Sequence, residues 1–223
     1  MYKLLLSCLL SLSIINFSCG QSSYQPKAGD LLFQDLDCGP YCESIEKVTE
    51  GVEGADFSHM GIVVLQDDKP FVYEAVSKGV LATPLEDFLQ RNTNNEGQPK
   101  VMVGRLTSAH HPLIPEALKQ AENLLGNAYD EIYVDGDEAY YCSELIYEIF
   151  KRANQGKPLF PLAPMTYIDP DTGETFPIWE DYFDERGTKV PEGVPGINPG
   201  AISRSPYLDI VYQFYQPKSS DDL

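Results

Sequence analysis

Cys142 opens a segment in which Cys142, Leu145, Ile146, Ile149 and Phe150 fall at i, i+3, i+4, i+7 and i+8, the spacing of one buried helix stripe. A cysteine on such a stripe is ordinarily a small core residue. Its place in the first turn argues for more, because unpaired N–H groups and the positive end of the helix dipole favour a thiolate there. The same N–H groups suit the oxyanion that forms when a sulfur attacks an acyl carbonyl. The chemistry implied is nucleophilic acyl transfer, and it requires a base.

The chain holds three histidines. His110 and His111 lie in Ser-Ala-His-His-Pro at the lead-in to a helix, where solvated rings are expected. His59 lies in a predicted strand, 57–65, on a face with Phe57, Gly61, Val63 and Leu65. A lone histidine on an apolar face is more often a satisfied core residue than a catalyst. Glu74 changes that balance. In a second predicted strand, 71–76, it shares a face with Val72 and Val76, where a carboxylate is costly unless paired. With Asp67 and Asp68 central in the turn, Gly61 faces Glu74 and Val76 faces His59, making His59 and Glu74 diagonal neighbours. A turn one step tighter sets them directly opposite. Diagonal backbones lie ~7–8 Å apart, so the carboxylate reaches one ring nitrogen in either register. Glu74 then fixes the tautomer and leaves the other nitrogen to take the thiol proton. The competing partner for Glu74 is a lysine or arginine, and strand 57–65 supplies neither.

The elements that must position these groups follow from pattern. Asp30 to Gln34 reads as a buried first strand, 42–50 as a short helix ending at Gly51, and 66–70 as the turn of a hairpin. A further strand spans 79–82. Thr83-Pro84-Leu85-Glu86 reads as a capped helix start with Thr83 as N-cap. Strand 100–106 precedes a helix over 112–125, and a second helix runs from Cys142 to Asn154. From 156 to 206 the composition turns to Pro, Gly, Asp and aromatics without periodicity, before a closing strand at 208–214. Such a segment is either a wall of a site or a surface excursion.

Bulk composition bounds the rest. The 223 residues, 43% hydrophobic and 22% charged, suffice for one domain with a full core. Residues 1–20 read as a signal peptide: Lys3, the apolar run 4–17, then Ser18, Cys19 and Gly20. Residues 21–223 form the single mature domain. Two processing routes fit, lipid modification at Cys19 or cleavage after Gly20. The net charge of −18 and a pI near 4.4 repel phosphate backbones and anionic lipid, so no nucleic-acid partner is expected. After export three cysteines remain, and if Cys38 and Cys42 pair, Cys142 is the leftover thiol. Cys38-Gly39-Pro40-Tyr41-Cys42 has one residue too many for a thioredoxin-type redox motif and reads as a structural disulfide or a loop pair. No further Cys or His stands at ligand spacing, so neither metal nor cofactor is expected.

The ordered set resembles a known family. It comprises Gly29-Asp30-Leu31-Leu32-Phe33-Gln34, Phe57-Ser58-His59-Met60-Gly61-Ile62-Val63, Val72-Tyr73-Glu74-Ala75, Gly126-Asn127-Ala128-Tyr129-Asp130 and Tyr141-Cys142-Ser143-Glu144-Leu145-Ile146-Tyr147. Together these resemble the YiiX/YebB-like branch of the permuted papain-like hydrolases, relatives of the NlpC-type peptidases and of lecithin retinol acyltransferase. The resemblance spans nearly the whole mature chain. It implies an α+β, circularly permuted papain-like fold with an antiparallel sheet packed against the nucleophile helix, the histidine strand preceding that helix. It also implies Cys142 as nucleophile, His59 as base and Glu74 as orienter in a cysteine-dependent amidase or peptidase. The expected substrate is an amide in a cell-wall peptide or an N-acyl amino acid, met in the periplasm or at the cell envelope by a protein with a possible lipid anchor at Cys19. Two alternatives stand beside it: a lipid acyl hydrolase or acyltransferase, favoured if apolar loops surround the cleft, and a catalytically silent binding scaffold with an unreactive Cys142.

Overall fold

The computed structural model describes residues 24–134, 136 and 138–216. The signal-peptide reading of 1–20 and the fate of Cys19 lie outside the described residues. The central feature is a six-stranded sheet built from β1 (Leu31–Gln34), β2 (His59–Gln66), β3 (Lys69–Val76), β4 (Gly79–Pro84), β5 (Val101–Leu106) and β8 (Leu208–Gln213). Its order is β4-β3-β2-β1-β5-β8 and every neighbouring pair is antiparallel. Helices α1 (Pro40–Val48), α2 (Leu85–Gln90), α3 (Ile114–Asn123) and α4 (Cys142–Ala153) follow in chain order. The fold is α+β, as expected.

Sequence periodicity divides the two faces of the sheet. Leu31, Phe33, Met60, Ile62 and Val64 point to one side and pack with Leu145, Ile146, Ile149 and Phe150 of α4 and Ala117 and Ala121 of α3. Leu32, Val63, Val72, Val101 and Val103 point to the other and pack with Leu85 and Phe88 of α2. α4 holds its place through an almost fully apolar stripe, and Arg152 pairs with Glu148 at 2.7 Å one turn earlier.

The β2–β3 hairpin pairs Gln66 with Lys69 and Ile62 with Tyr73, leaving Asp67 and Asp68 as the two turn residues. Both have positive φ, 48° and 61°, as a type I′ turn demands. Continued along the strands, this register sets Gly61 opposite Glu74 and Val76 opposite His59, the first of the two registers weighed from the sequence. Gly61 is required by its neighbours: a Cβ there would lie 2.4 Å from Val72 Cγ1 and 3.3 Å from Glu74 Cβ.

Two expectations are corrected. Thr83 does not cap α2; it is a strand residue paired with Val72, and the helix starts after Pro84 with no side-chain cap. Its hydroxyl is drawn elsewhere, to Glu74. The segment 156–206 is not irregular throughout. It contains β6 (Ala163–Pro164), α5 (Pro177–Glu185), β7 (Pro195–Gly196) and α6 (Pro199–Ser203). α5 begins with Pro177 in its first turn and buries Trp179 and Phe183, an i, i+4 pair, but nine residues are too few for a sequence period to stand out.

Candidate active site

His59 is the first residue of β2 and Cys142 the first of α4. Strand alternation puts His59 on the face of Gly61 and Val63, which packs α2, whereas α4 covers the opposite face. The two residues meet because each heads its element at the same end of the sheet: both line one cleft, and Cys142 is close enough to the His59 ring to raise its pKa. Its Nε2 is 2.5 Å from Glu74 Oε2, which leaves Nδ1 for the sulfur. Cys142, His59 and Glu74 are 7%, 5% and 0% exposed. The three residues singled out from the sequence therefore stand in one chain of contacts.

Burial alone would lower the basicity of His59, but its bonds to Cys142 and Glu74 outweigh this and raise its pKa to about 9. For Glu74 burial acts upward, and Arg91 together with His59 overrides it, holding the carboxyl well below the usual carboxylate range. The ring is thus positively charged at neutral pH beside the sulfur, with an anion behind it.

Contrary to expectation, Glu74 does have a basic partner. Arg91 Nη1 and Nη2 donate to Glu74 Oε2 and Oε1 at 2.8 and 2.6 Å. The arginine arrives from the end of α2 and not from strand β2, so the hairpin pattern gave no sign of it. The available signal was the pair Phe88 and Arg91 at i, i+3 on a helix that folds back over β3. Thr83 Oγ1 adds a fourth bond to the same carboxylate.

Cys142 opens on a cleft of about 420 Å³, within the size range of small-molecule sites. The segment 156–206 builds one wall with Pro164, Met165, Tyr167, Trp179, Tyr182 and Ile197, and α1 contributes Tyr41. Tyr41 packs on Trp179 with ring centroids 4.8 Å apart and bonds to the Tyr133 hydroxyl. The half-buried phenols of Tyr41 and Tyr129 lie near Cys142, and desolvation raises their pKa values and keeps them neutral hydrogen-bonding groups. Two bonds tie the first turn of α4 to this wall: Ser143 Oγ donates to the Ile197 carbonyl at 2.9 Å, and the Ile197 N–H donates to Tyr141 Oη at 3.1 Å. Besides His59, the charged liners among the described residues are Glu131 and Arg186, which pair with each other at 3.2 Å.

His110 and His111 do not line the cleft. His111 is exposed, as expected, with Nε2 donating to the Leu106 carbonyl at 2.8 Å, whereas His110 is half-buried and stacks on Tyr207 at 4.5 Å. Cys38 and Cys42 are joined in a disulfide at the start of α1, and Cys142 is a free thiol. Non-reducing peptide mapping is expected to return the Cys38–Cys42 peptide and an unpaired Cys142. A Cys38–Cys142 bridge as the main resting species would remove Cys142 from the nucleophile's role.

A family model described as permuted papain-like amidase enzyme, YaeF/YiiX, C92 family, matches residues 25–212. The uncharacterized protein YiiX of Escherichia coli (strain K12) is 28% identical over 145 residues, 65% of this chain and 67% of its own length. The crystal structure of a protein described as metalloprotein yiiX, from Escherichia coli O157:H7, superposes with a TM-score of 0.70 at 24% identity, covering 86% of this chain and 100% of that one. With most of the chain matched from β1 to β8, this protein belongs to the permuted papain-like amidase family of YaeF and YiiX.

Proposed function

We infer that the protein is an exported cysteine hydrolase that cleaves an amide through Cys142, His59 and Glu74. The observation that carries this reading is that His59 and Cys142 line one cleft at the head of α4, with the His59 Nε2 held at 2.5 Å by Glu74 and the ring's pKa raised by both neighbours. In this mechanism the Cys142 thiolate attacks the carbonyl carbon while first-turn N–H groups of α4 receive the oxyanion. The C–N bond breaks, the His59 proton goes to the departing amine, and a thioester remains on Cys142. The ring then takes a proton from water, hydroxide adds to the thioester, and the acid and the thiol are released.

The cleft walls bear on the substrate. Apolar and aromatic side chains make up much of the lining described, and Glu131 and Arg186 within it satisfy each other. Of the two expected substrate classes, an N-acyl amino acid suits these walls better than a cell-wall peptide, because its acyl chain matches the apolar and aromatic lining and it carries fewer charged groups. The same apolar lining favours a second reading, a lipid acyl hydrolase or acyltransferase. The segment 156–206 supplies the apolar contacts that its acidic composition did not suggest. The export reading is supported by the apolar run 4–17 and by the Cys38–Cys42 pairing.

The solved relative is called a metalloprotein. Among the described residues here no group of three or more His, Cys, Asp or Glu side chains is placed to hold a metal ion. The His59 Nε2 is already engaged by Glu74.

The test is iodoacetamide labelling of Cys142 across pH. Labelling is expected to stay fast well below pH ~8.5, where an unassisted thiol is mostly protonated, and to fall to ordinary thiol behaviour in His59→Ala. Labelling only above that range in the wild-type protein would favour the silent scaffold. A panel of N-acyl amino acids and acyl esters then separates the two hydrolase readings by the bond cleaved.

A further inference from the structure

Arg91 does not line the cleft. Its side chain, 30% exposed, reaches Glu74 from the far side and grips both carboxylate oxygens, while His59 shares Oε2. A two-pronged guanidinium–carboxylate contact is among the stronger and more directional polar interactions. Phe88, fully buried on α2, lies against both cations: its ring centroid is 5.8 Å from that of His59 and 5.2 Å from the Arg91 guanidinium carbon. α2 thus carries two residues, three apart, that back the site.

Glu74 has no exposure to solvent, so its charge depends on nearby cations and donors. In the mechanism proposed above, one of those cations is transient. When the imidazolium hands its Nδ1 proton to the departing amine, the ring becomes neutral and its remaining proton sits on Nε2, facing Glu74. A buried carboxylate left with no cation would draw that proton to itself and free the wrong ring nitrogen.

We propose that Arg91 is a positioning residue that keeps Glu74 ionised through the catalytic cycle, and so keeps the neutral His59 ring protonated at Nε2 with Nδ1 bare. Arg91 remains charged at every step, because a guanidinium does not deprotonate in proteins. Nδ1 is then ready to take the proton of the water that hydrolyses the thioester. Thr83 supports the same arrangement with a neutral bond to Oε1. The inference rests on the Cys142, His59 and Glu74 reading.

The experiment follows the ring of His59 directly and needs no substrate. With three histidines in the chain, the ring resonances of His59 are assignable by comparison with His59→Ala. The titratable groups acting on the ring are Cys142 from α4 and Glu74 from β3; β1 presents the neutral Gln34 opposite it, and α2 presents Phe88. Removing the Arg91 charge strengthens the hold of Glu74 on the imidazolium. In Arg91→Met the His59 titration is therefore expected to move up by about one unit or more, and the nitrogen chemical shifts of the neutral ring to lose their clean Nε2–H signature. Arg91→Gln, which keeps a donor without charge, is expected to move it in the same direction. Arg91→Lys is expected to keep the titration near its wild-type position. An unchanged titration in folded Arg91→Met and Arg91→Gln overturns the proposal, as does an equal shift in Arg91→Lys. Retention of full turnover in His59→Ala would instead sink the hydrolase mechanism, whatever the titration shows.

Discussion

His59→Ala is expected to abolish turnover of any amide the wild-type protein cleaves, and Glu74→Gln to lower it by about 10²–10⁴-fold with folding intact. His59 is the group in the described site that can both take the thiol proton and return it to a leaving amine, so its loss leaves no proton carrier. Glu74→Gln keeps the volume and one acceptor but removes the charge that orients the ring, and Arg91 is left facing a neutral amide. The measurement is kcat against pH for both variants, beside circular dichroism to show that they fold. Full activity in His59→Ala would refute the assignment. The same residue sets a pH dependence of stability. Its folded pKa of about 9 lies above the ordinary value near 6.5, so its contribution is complete below pH ~6.5 and is lost as pH rises through 9. Wild-type Tm should therefore fall between these limits, and the fall should shrink in His59→Ala.

Phe150→Ala is expected to destabilise the fold by about 3–5 kcal/mol, the largest structural effect anticipated here. Phe150 is fully buried on α4, packed edge to face with Phe160 at 5.7 Å, and belongs to the cluster that joins α3, α4 and the sheet. Truncation removes an aromatic ring from the contact that fixes where the helix, and therefore Cys142, lies. Urea unfolding checks it: a loss below about 1 kcal/mol would mean that the core closes over the gap and that α4 is held by other contacts.

Much of the site was legible because its residues break local patterns. A histidine and a glutamate on apolar strand faces, and a cysteine at the head of a helix stripe, are each costly or idle unless they meet something. The acidic turn residues Asp67 and Asp68 fixed the register that brings His59 and Glu74 together. The aromatic wall was harder to see. Trp179, Tyr182, Tyr167 and Tyr41 come from separate stretches with no common period, and what unites them is packing around one cleft.

The sequence by itself determined the strands of the hairpin, the stripe of α4, the family pattern and the three residues on which the chemistry is proposed to rest, since all of these are local periodicities or motifs in chain order. Tertiary structure alone decided how they meet. Alternation assigns His59 to the face opposite α4, and only the shared end of the sheet lets it reach Cys142. Arg91 and Thr83 come to Glu74 for the same kind of reason. A buried carboxylate collects its donors from whatever elements the fold places beside it, and β4 and α2 lie beside β3 through pairing and packing that no single stretch of sequence encodes.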